Sequence, residues 1–457
     1  MKNENILVKI FPFLLLMFSI VLLSYVIYRS EFVHEGYKLS YYFKYYIIAF
    51  LFLFLSIISF YMSKKIKTNM FLILTSIGLT LYMIEIGLII YESVAIQISK
   101  NNKIEKLDKD IELYEKTTGK KYDLRSVKQV LKDESKDHPD AVLSLIPADY
   151  LNDNKSDLFP IMSLSNRRTI LCNEGGYTAI IDSDRYGFNN PDDEWDKDKI
   201  KYLLIGDSAV QGYCVNRPDE IGGNLRKFIE KNEGVLSLGF AGNGPLLELG
   251  ILREYSPLIN VKNIIWVYSE GNDLHDLLRE QKNDILKKYL TDDNFSQNIV
   301  YRKSEIQKIL GKKFSRNELS RKKIKRSKII SFIILTKTRK IFLEKLIEDK
   351  VTDDTIEQLT QVLKSADNFA KRNNAKFYFV YLVDTYRYIN KKNLDDLYKY
   401  KKVIKAVKDL KIPIIDTNKE VFVNQSDPLS LFPFRQHNHL NELGNKLVAD
   451  IIVKNVK

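Results

Sequence analysis

A chain of 457 residues, 45% of them hydrophobic and 28% charged, is longer than one ordinary domain and can bury a sizeable core. A formal charge of +13 invites nucleic acid as a partner, but no nucleic-acid motif accompanies it. Five histidines with no cluster of ligand spacing beyond His437 and His439 point to no metal, and without a phosphate cradle or dinucleotide fingerprint no cofactor is implied.

The first hundred residues (1–98) differ from the rest. Residues 10–28, 45–62 and 70–90 are apolar runs of about the length that crosses a bilayer. The first lacks a small-residue cleavage site and has two more runs behind it, so it reads as a retained helix rather than a signal peptide. Lys64, Lys65 and Lys67 in the second loop meet no balancing acid, whereas Arg29 and Lys38 are offset by Glu31 and Glu35. The positive-inside bias then predicts a cytoplasmic N-terminus, with everything after about Ser99 outside the cytoplasm. Glu85 lies within the third run; it is either a functional group or a carboxylate satisfied by the outer interface or a neighbouring helix.

Residues 99–167 read as a charged, partly helical stalk that becomes irregular around Pro139, Pro147 and Pro160. A folded domain is predicted over 168–457. In it, strands at 202–205, 235–238, 263–268, 376–383 and 412–415 alternate with helices at 222–231, 246–255, 355–371, 395–410 and 441–456. That alternation predicts a mostly parallel sheet covered on both faces. A basic stretch at about 274–345 breaks the rhythm and reads as an inserted helical subdomain forming a cap over the site. Its run Arg321-Lys322-Lys323-Ile324-Lys325-Arg326 is either a solvated helix face or a surface for anionic headgroups or acidic glycan; the apolar residues 329–335 beside it favour membrane contact. Cys172 and Cys214 are either one disulfide bracing the loop after residue 208 or two free thiols.

Chemistry concentrates where strands end. The apolar run Tyr202-Leu203-Leu204-Ile205 stops at Gly206-Asp207-Ser208, and Gly212 follows four residues after the serine. Ligands of open α/β sheets bind at that end, and a serine exposed on such a turn is placed as a nucleophile. Gly239-Phe240-Ala241-Gly242-Asn243 follows the second strand, Glu270-Gly271-Asn272-Asp273 the third, and His439 precedes the last helix. Acyl transfer wants these types together: a hydroxyl, an imidazole to take its proton, and donors aimed at a tetrahedral oxyanion.

On these four blocks the chain resembles the SGNH (GDSL-type) esterase and acyltransferase superfamily, over roughly residues 168–457. The resemblance implies an α/β fold, a flavodoxin-like three-layer α/β/α sandwich around a five-stranded parallel sheet. It implies Ser208 as nucleophile and first oxyanion donor, Gly242 and Asn272 as further donors, and His439 as general base. Cys172-Asn173-Glu174-Gly175-Gly176, Tyr186-Gly187-Phe188-Asn189-Asn190-Pro191 and Glu270-Gly271-Asn272-Asp273 are similar to membrane-anchored bacterial members of poorly defined function. Two departures stand out. Glu270 occupies a position where glycine is usual, and the aspartate expected two or three residues before the histidine is replaced by Gln436 and His437. Losing that acid costs about four orders of magnitude in the serine-protease example, roughly 5–6 kcal/mol. Either the site works as a Ser–His dyad, or Asp427, Gln436, His437 or a backbone carbonyl takes the third place, or it is inactive.

The expected function is removal or transfer of acyl groups, acetyl foremost, on a cell-envelope glycan or lipid-linked saccharide at the bacterial inner membrane. Its expected partners are that acylated substrate and envelope-biosynthesis proteins. The missing aspartate favours a second reading, an inactive glycan-binding or assembly protein; an apolar lid built from the insertion would favour a third, a lipid esterase.

Overall fold

The computed structural model describes residues 4–34, 36, 39–151, 157–320, 328–341, 350–389 and 394–456. The chain divides into two compact units, residues 1–101 with 324–348, and residues 102–323 with 349–457. In the first, α1 (Glu4–Ile27), α2 (Leu39–Tyr61) and α3 (Lys64–Thr118, which runs on into the second unit) supply three segments long and apolar enough to cross a membrane. A helix suits that role because it satisfies every backbone polar group internally. The third span and the start of the expected stalk are one helix of 55 residues. It ends at Gly119, whose φ of +69° suits glycine and closes helices.

The second unit carries two sheets. A small one joins β1 (Val142–Leu143), β2 (Arg168–Ile170) and β3 (Ile180–Asp182). The main sheet contains β4 (Lys199–Gly206), β5 (Glu233–Gly239), β6 (Val261–Ser269), β7 (Lys376–Leu382) and β8 (Ile414–Asp416), all parallel, in the order β5-β4-β6-β7-β8. This is the flavodoxin-like order. Strands β4 and β6 are covered on both faces, which is why Leu203-Leu204-Ile205 and Ile264-Ile265-Trp266-Val267 run apolar without alternation.

Right-handed crossovers set the layers. The step from β4 to β5 goes one way along the sheet and the three later steps go the other. Ile221–Arg226 therefore shares a face with the last helix, Glu442–Asn455, while Pro245–Tyr255, Asp353–Arg372 and Leu394–Asp409 pack together on the opposite face. The direction reverses between β4 and β6, so a crevice opens there at the strands' carboxyl ends.

Two stretches differ from the expectation. The proline-broken segment before β2 is irregular, yet Tyr150, Phe159, Ile161 and Met162 are buried in the main core, so it is packed structure. Residues 274–345 do not form one inserted subdomain. Asp273–Glu280 and Asp284–Thr291 are amphipathic and bury Leu274, Leu277, Leu286 and Tyr289 in that same core. Lys328–Ile333 and Thr336–Arg339 belong instead with the membrane-length helices. The basic run at 321–326 lies outside the described residues.

Candidate active site

Strand β4 ends at Gly206, where a Cβ would come within 2.6 Å of Val210 Cγ2 and 2.9 Å of the Val267 carbonyl oxygen. Only glycine lets the chain turn so close to its neighbours. Asp207 then ties the turn to β6: its Oδ1 accepts from the Ala209 N–H and from the Ser269 hydroxyl, both at 2.9 Å. Ser208 opens the short helix Ser208–Gln211, and Gly212 closes it at a φ of +68°. The Ser208 hydroxyl rests 3.4 Å from Asp207 Oδ2.

Ser208 and His439 line one cavity of about 230 Å³ at the carboxyl ends of β4, β6 and β7, together with Asn272, Asp384, Leu382 and Leu440. No residue of 274–345 is among its walls, so the expected cap is not found over it among the described residues. The Asn272 amide donates to Asp276 Oδ2 at 2.9 Å and to Asp207 Oδ2 at 3.1 Å. Gly242, named as another donor, has a φ of +76°, is flanked by Ile146 and Ala148, and does not line this cavity.

The imidazole of His439 is held by an acid that sequence reading did not name. His439 Nδ1 lies 2.9 and 3.0 Å from the two carboxylate oxygens of Glu174, and the Tyr213 ring packs edge-on against it at 5.2 Å. Burial alone would lower the His439 pKa; the hydrogen bond and charge of Glu174, with the charges of Asp207 and Asp384, carry it above its ordinary value instead. Donation from Nδ1 leaves Nε2 as the basic nitrogen.

Glu174 reaches the site through covalent and polar ties. Cys172 and Cys214 form a disulfide, and Cys214 stands six residues after Ser208 while Cys172 stands two before Glu174. The bridge therefore joins the loop of the acid to the loop of the nucleophile. Asn173 shapes the intervening turn, donating to the Asp123 carbonyl at 2.8 Å and accepting from the Gly176 N–H at 2.9 Å. Had the two cysteines been taken as bonded, the sequence would have put Glu174 within reach of the serine.

The three side chains named from sequence for the third place point elsewhere. Asp427 pairs with Arg435, and Gln436 Nε2 donates to Asp110 Oδ2 at 2.7 Å. The His437 ring faces Phe434 at 6.4 Å, its carbonyl accepts from the Thr385 hydroxyl at 2.5 Å, and burial depresses its pKa. Glu270, at the position where glycine was expected, is a buried partner of Arg387 that also accepts from the Tyr381 hydroxyl at 2.8 Å. Glu174, Cys214 and His439 bring ligand atoms within 4.8 Å of one another, but the cysteine sulfur is bonded to Cys172 and is not a thiolate.

Behind Asp207 the fold buries further acids. Glu280 caps the helix Pro245–Tyr255, accepting from the N–H groups of Gly244 at 2.6 Å, Leu246 at 2.9 Å and Leu247 at 3.4 Å. Burial outweighs those bonds and pushes its pKa up to about 8. Glu248 and Asp273 are driven well above the carboxylate range, first by burial and then by neighbouring carboxylates, Asp273 foremost for Glu248 and Asp207 for Asp273.

No family model matches the chain, and no curated protein matches it. Similar solved structures include a lipase/acylhydrolase from Enterococcus faecalis (10% identity, TM-score 0.33, covering 56% of this chain and 95% of that one). An acetyl xylan esterase (14%, 0.33, 56% and 100%) and a member of the lipolytic G-D-S-L family from Veillonella parvula (11%, 0.31, 56% and 98%) are others. At these values the chemistry of the site rests on its own geometry.

Proposed function

We propose that this chain is a membrane-anchored serine esterase or O-acyltransferase that works through an acyl-enzyme on Ser208. The observation that carries the reading is the meeting of Ser208, Asn272 and a Glu174-held His439 at the crevice between β4 and β6. The Ser208 Oγ turns from Asp207 and attacks an ester carbonyl while His439 Nε2 takes its proton. The oxyanion is met by the Ser208 N–H and the Asn272 amide. Collapse expels the alcohol with the proton from His439. Water or a sugar hydroxyl then repeats the sequence in reverse, which makes the enzyme a hydrolase or a transferase.

Size and location support a class of substrate. A cavity of about 230 Å³ is below the roughly 300–1,000 Å³ of sites for drug-sized ligands, which suits a short acyl group such as acetyl. The lysine-rich second loop and the disulfide both favour an extracytoplasmic domain, facing cell-envelope glycan or lipid-linked saccharide and the proteins that build it. Glu174 removes the chief reason for reading the domain as an inactive binding protein.

The test is labelling of the detergent-solubilised full chain with a fluorophosphonate probe, alongside hydrolysis of p-nitrophenyl esters of increasing chain length. Ser208→Ala should abolish both, and acetate should be preferred over octanoate. A folded chain that neither reacts with the probe nor cleaves the acetate would leave only a binding role; a preference for long acyl chains would turn the reading to a lipid esterase.

A further inference from the structure

Between Lys64 and Asn101, helix α3 buries a single side chain, and that side chain is a carboxylate: Glu85, 1% exposed. It stands 15 residues into the apolar run that begins at Met70, which at about 1.5 Å per residue is roughly 22 Å along a hydrocarbon layer of about 30 Å. Glu85 therefore lies in the outer part of the third span, a depth at which an unpartnered anion is costly. Its partners are backbone groups from the same compact unit, about 250 residues away in sequence. Glu85 Oε1 accepts from the Lys337 N–H at 3.0 Å and Oε2 from the Thr338 N–H at 2.7 Å, both in the first turn of Thr336–Arg339.

Other contacts hold the same segment. The Tyr82 hydroxyl donates to the Ile333 carbonyl at 2.9 Å, and its ring meets Phe332 at 5.2 Å. Lys337 pairs with Glu92, and the Arg339 guanidinium lies over the Tyr45 ring at 5.8 Å. Tyr45 sits with Tyr41, Tyr42 and Tyr46 at the start of α2, the clustering of tyrosine that marks a membrane–water boundary. On the same segment the side chains of Ile329 and Ile333 are 69% and 58% exposed.

We propose that residues 328–341 are an interfacial membrane element: Glu85 clamps the segment to α3, and Ile329 and Ile333 insert among the phospholipids of the leaflet into which the third span emerges. Phospholipid is the partner that fits, because the segment packs on a helix of membrane-crossing length and sits beside the tyrosine cluster of α2 that marks a membrane–water boundary. The inference is independent of the ester chemistry and needs only that α3 crosses the bilayer.

The experiment uses the full chain in phosphatidylethanolamine–phosphatidylglycerol vesicles, with Ile333→Cys carrying an environment-sensitive fluorophore. The native cysteines are joined to each other, so the new thiol is the one labelled. Two calibrators are labelled in the same way: Ile77→Cys within the third span and Val423→Cys, exposed in the second unit. Quenching by lipids carrying a nitroxide near the headgroup should be at least threefold stronger at residue 333 than at 423, and at least half that at 77. Adding Glu85→Ala, or Thr338→Pro, which removes one of the two donors and leaves α3 unchanged, should bring residue 333 down to the level of 423. Quenching at 333 equal to that at 423 in the parent chain would overturn the insertion; full quenching retained in both clamp variants would overturn the role of Glu85.

Discussion

Replacing Glu174 by glutamine removes a negative charge while keeping a side chain of the same length beside His439 Nδ1. Both carboxylate oxygens lie within 3.0 Å of that nitrogen, so the charge stabilises the imidazolium formed as Ser208 attacks and fixes the tautomer that leaves Nε2 basic. In the serine-protease example the equivalent change costs about 10⁴-fold. For Glu174→Gln we expect a loss of about 10³–10⁴-fold in kcat/KM, which at about 1.36 kcal/mol per decade is roughly 4–5.5 kcal/mol. The pH profile gives a second readout. Glu174 raises the His439 pKa, and without it the protonated imidazole loses its main support, so the rising acid limb of kcat/KM should move to lower pH even as the plateau falls. The assay is p-nitrophenyl acetate hydrolysis from pH 5 to 9, with Asp427→Ala as the comparison, expected within about twofold of the parent because Asp427 pairs with Arg435. A Glu174→Gln chain that keeps more than a third of the activity, or whose acid limb stays in place, would refute the assignment of Glu174 as the orienting acid.

Asn272→Ala should lower kcat by about 10²–10³-fold with KM little changed, the mark of a donor used mainly in the transition state; an equal rise in KM would instead make it a ground-state contact. Cys172→Ser opens a loop closed across 42 residues, for which chain entropy predicts about 4 kcal/mol of lost stability, measurable by denaturant unfolding. The same variant should lose activity as the Glu174 loop comes free, so unchanged activity would separate the bridge from the site. Glu280 binds its proton more tightly folded, at about 8, than unfolded, near 4.5; its contribution is full below about pH 4.5 and is lost as pH rises through 8. Thermal midpoints should therefore fall between pH 5 and 8, and Glu280→Gln should flatten that slope.

The strand ends were legible in the sequence because their signals are local. An apolar run broken by Gly206-Asp207-Ser208 states both that a buried strand ends and that a hydroxyl follows; β5 and β6 announce themselves in the same way, and hydropathy alone shows that α1 and α2 exist, though each begins six residues before its apolar run, at Glu4 and Leu39 against 10 and 45. The segment 274–345 reads from sequence as one basic insertion because charge dominates its composition, while the spacing of Leu274, Leu277, Leu286 and Tyr289 that buries its first half is a sparser signal.

By itself the sequence marked the strand segments, the three apolar spans, and a serine, an asparagine and a histidine as candidates, since each of those signals depends on neighbours within a few positions; that the strands pair in parallel and the three side chains line one cavity is tertiary. Only the tertiary structure decided which acid serves the imidazole and which group satisfies the buried carboxylate of α3. Glu174 is 265 residues from His439, and Glu85 is 252 and 253 from the two amides it binds. Hydrogen bonds are read over about three ångströms of space, and no local pattern records which distant segments the closed chain will bring that near.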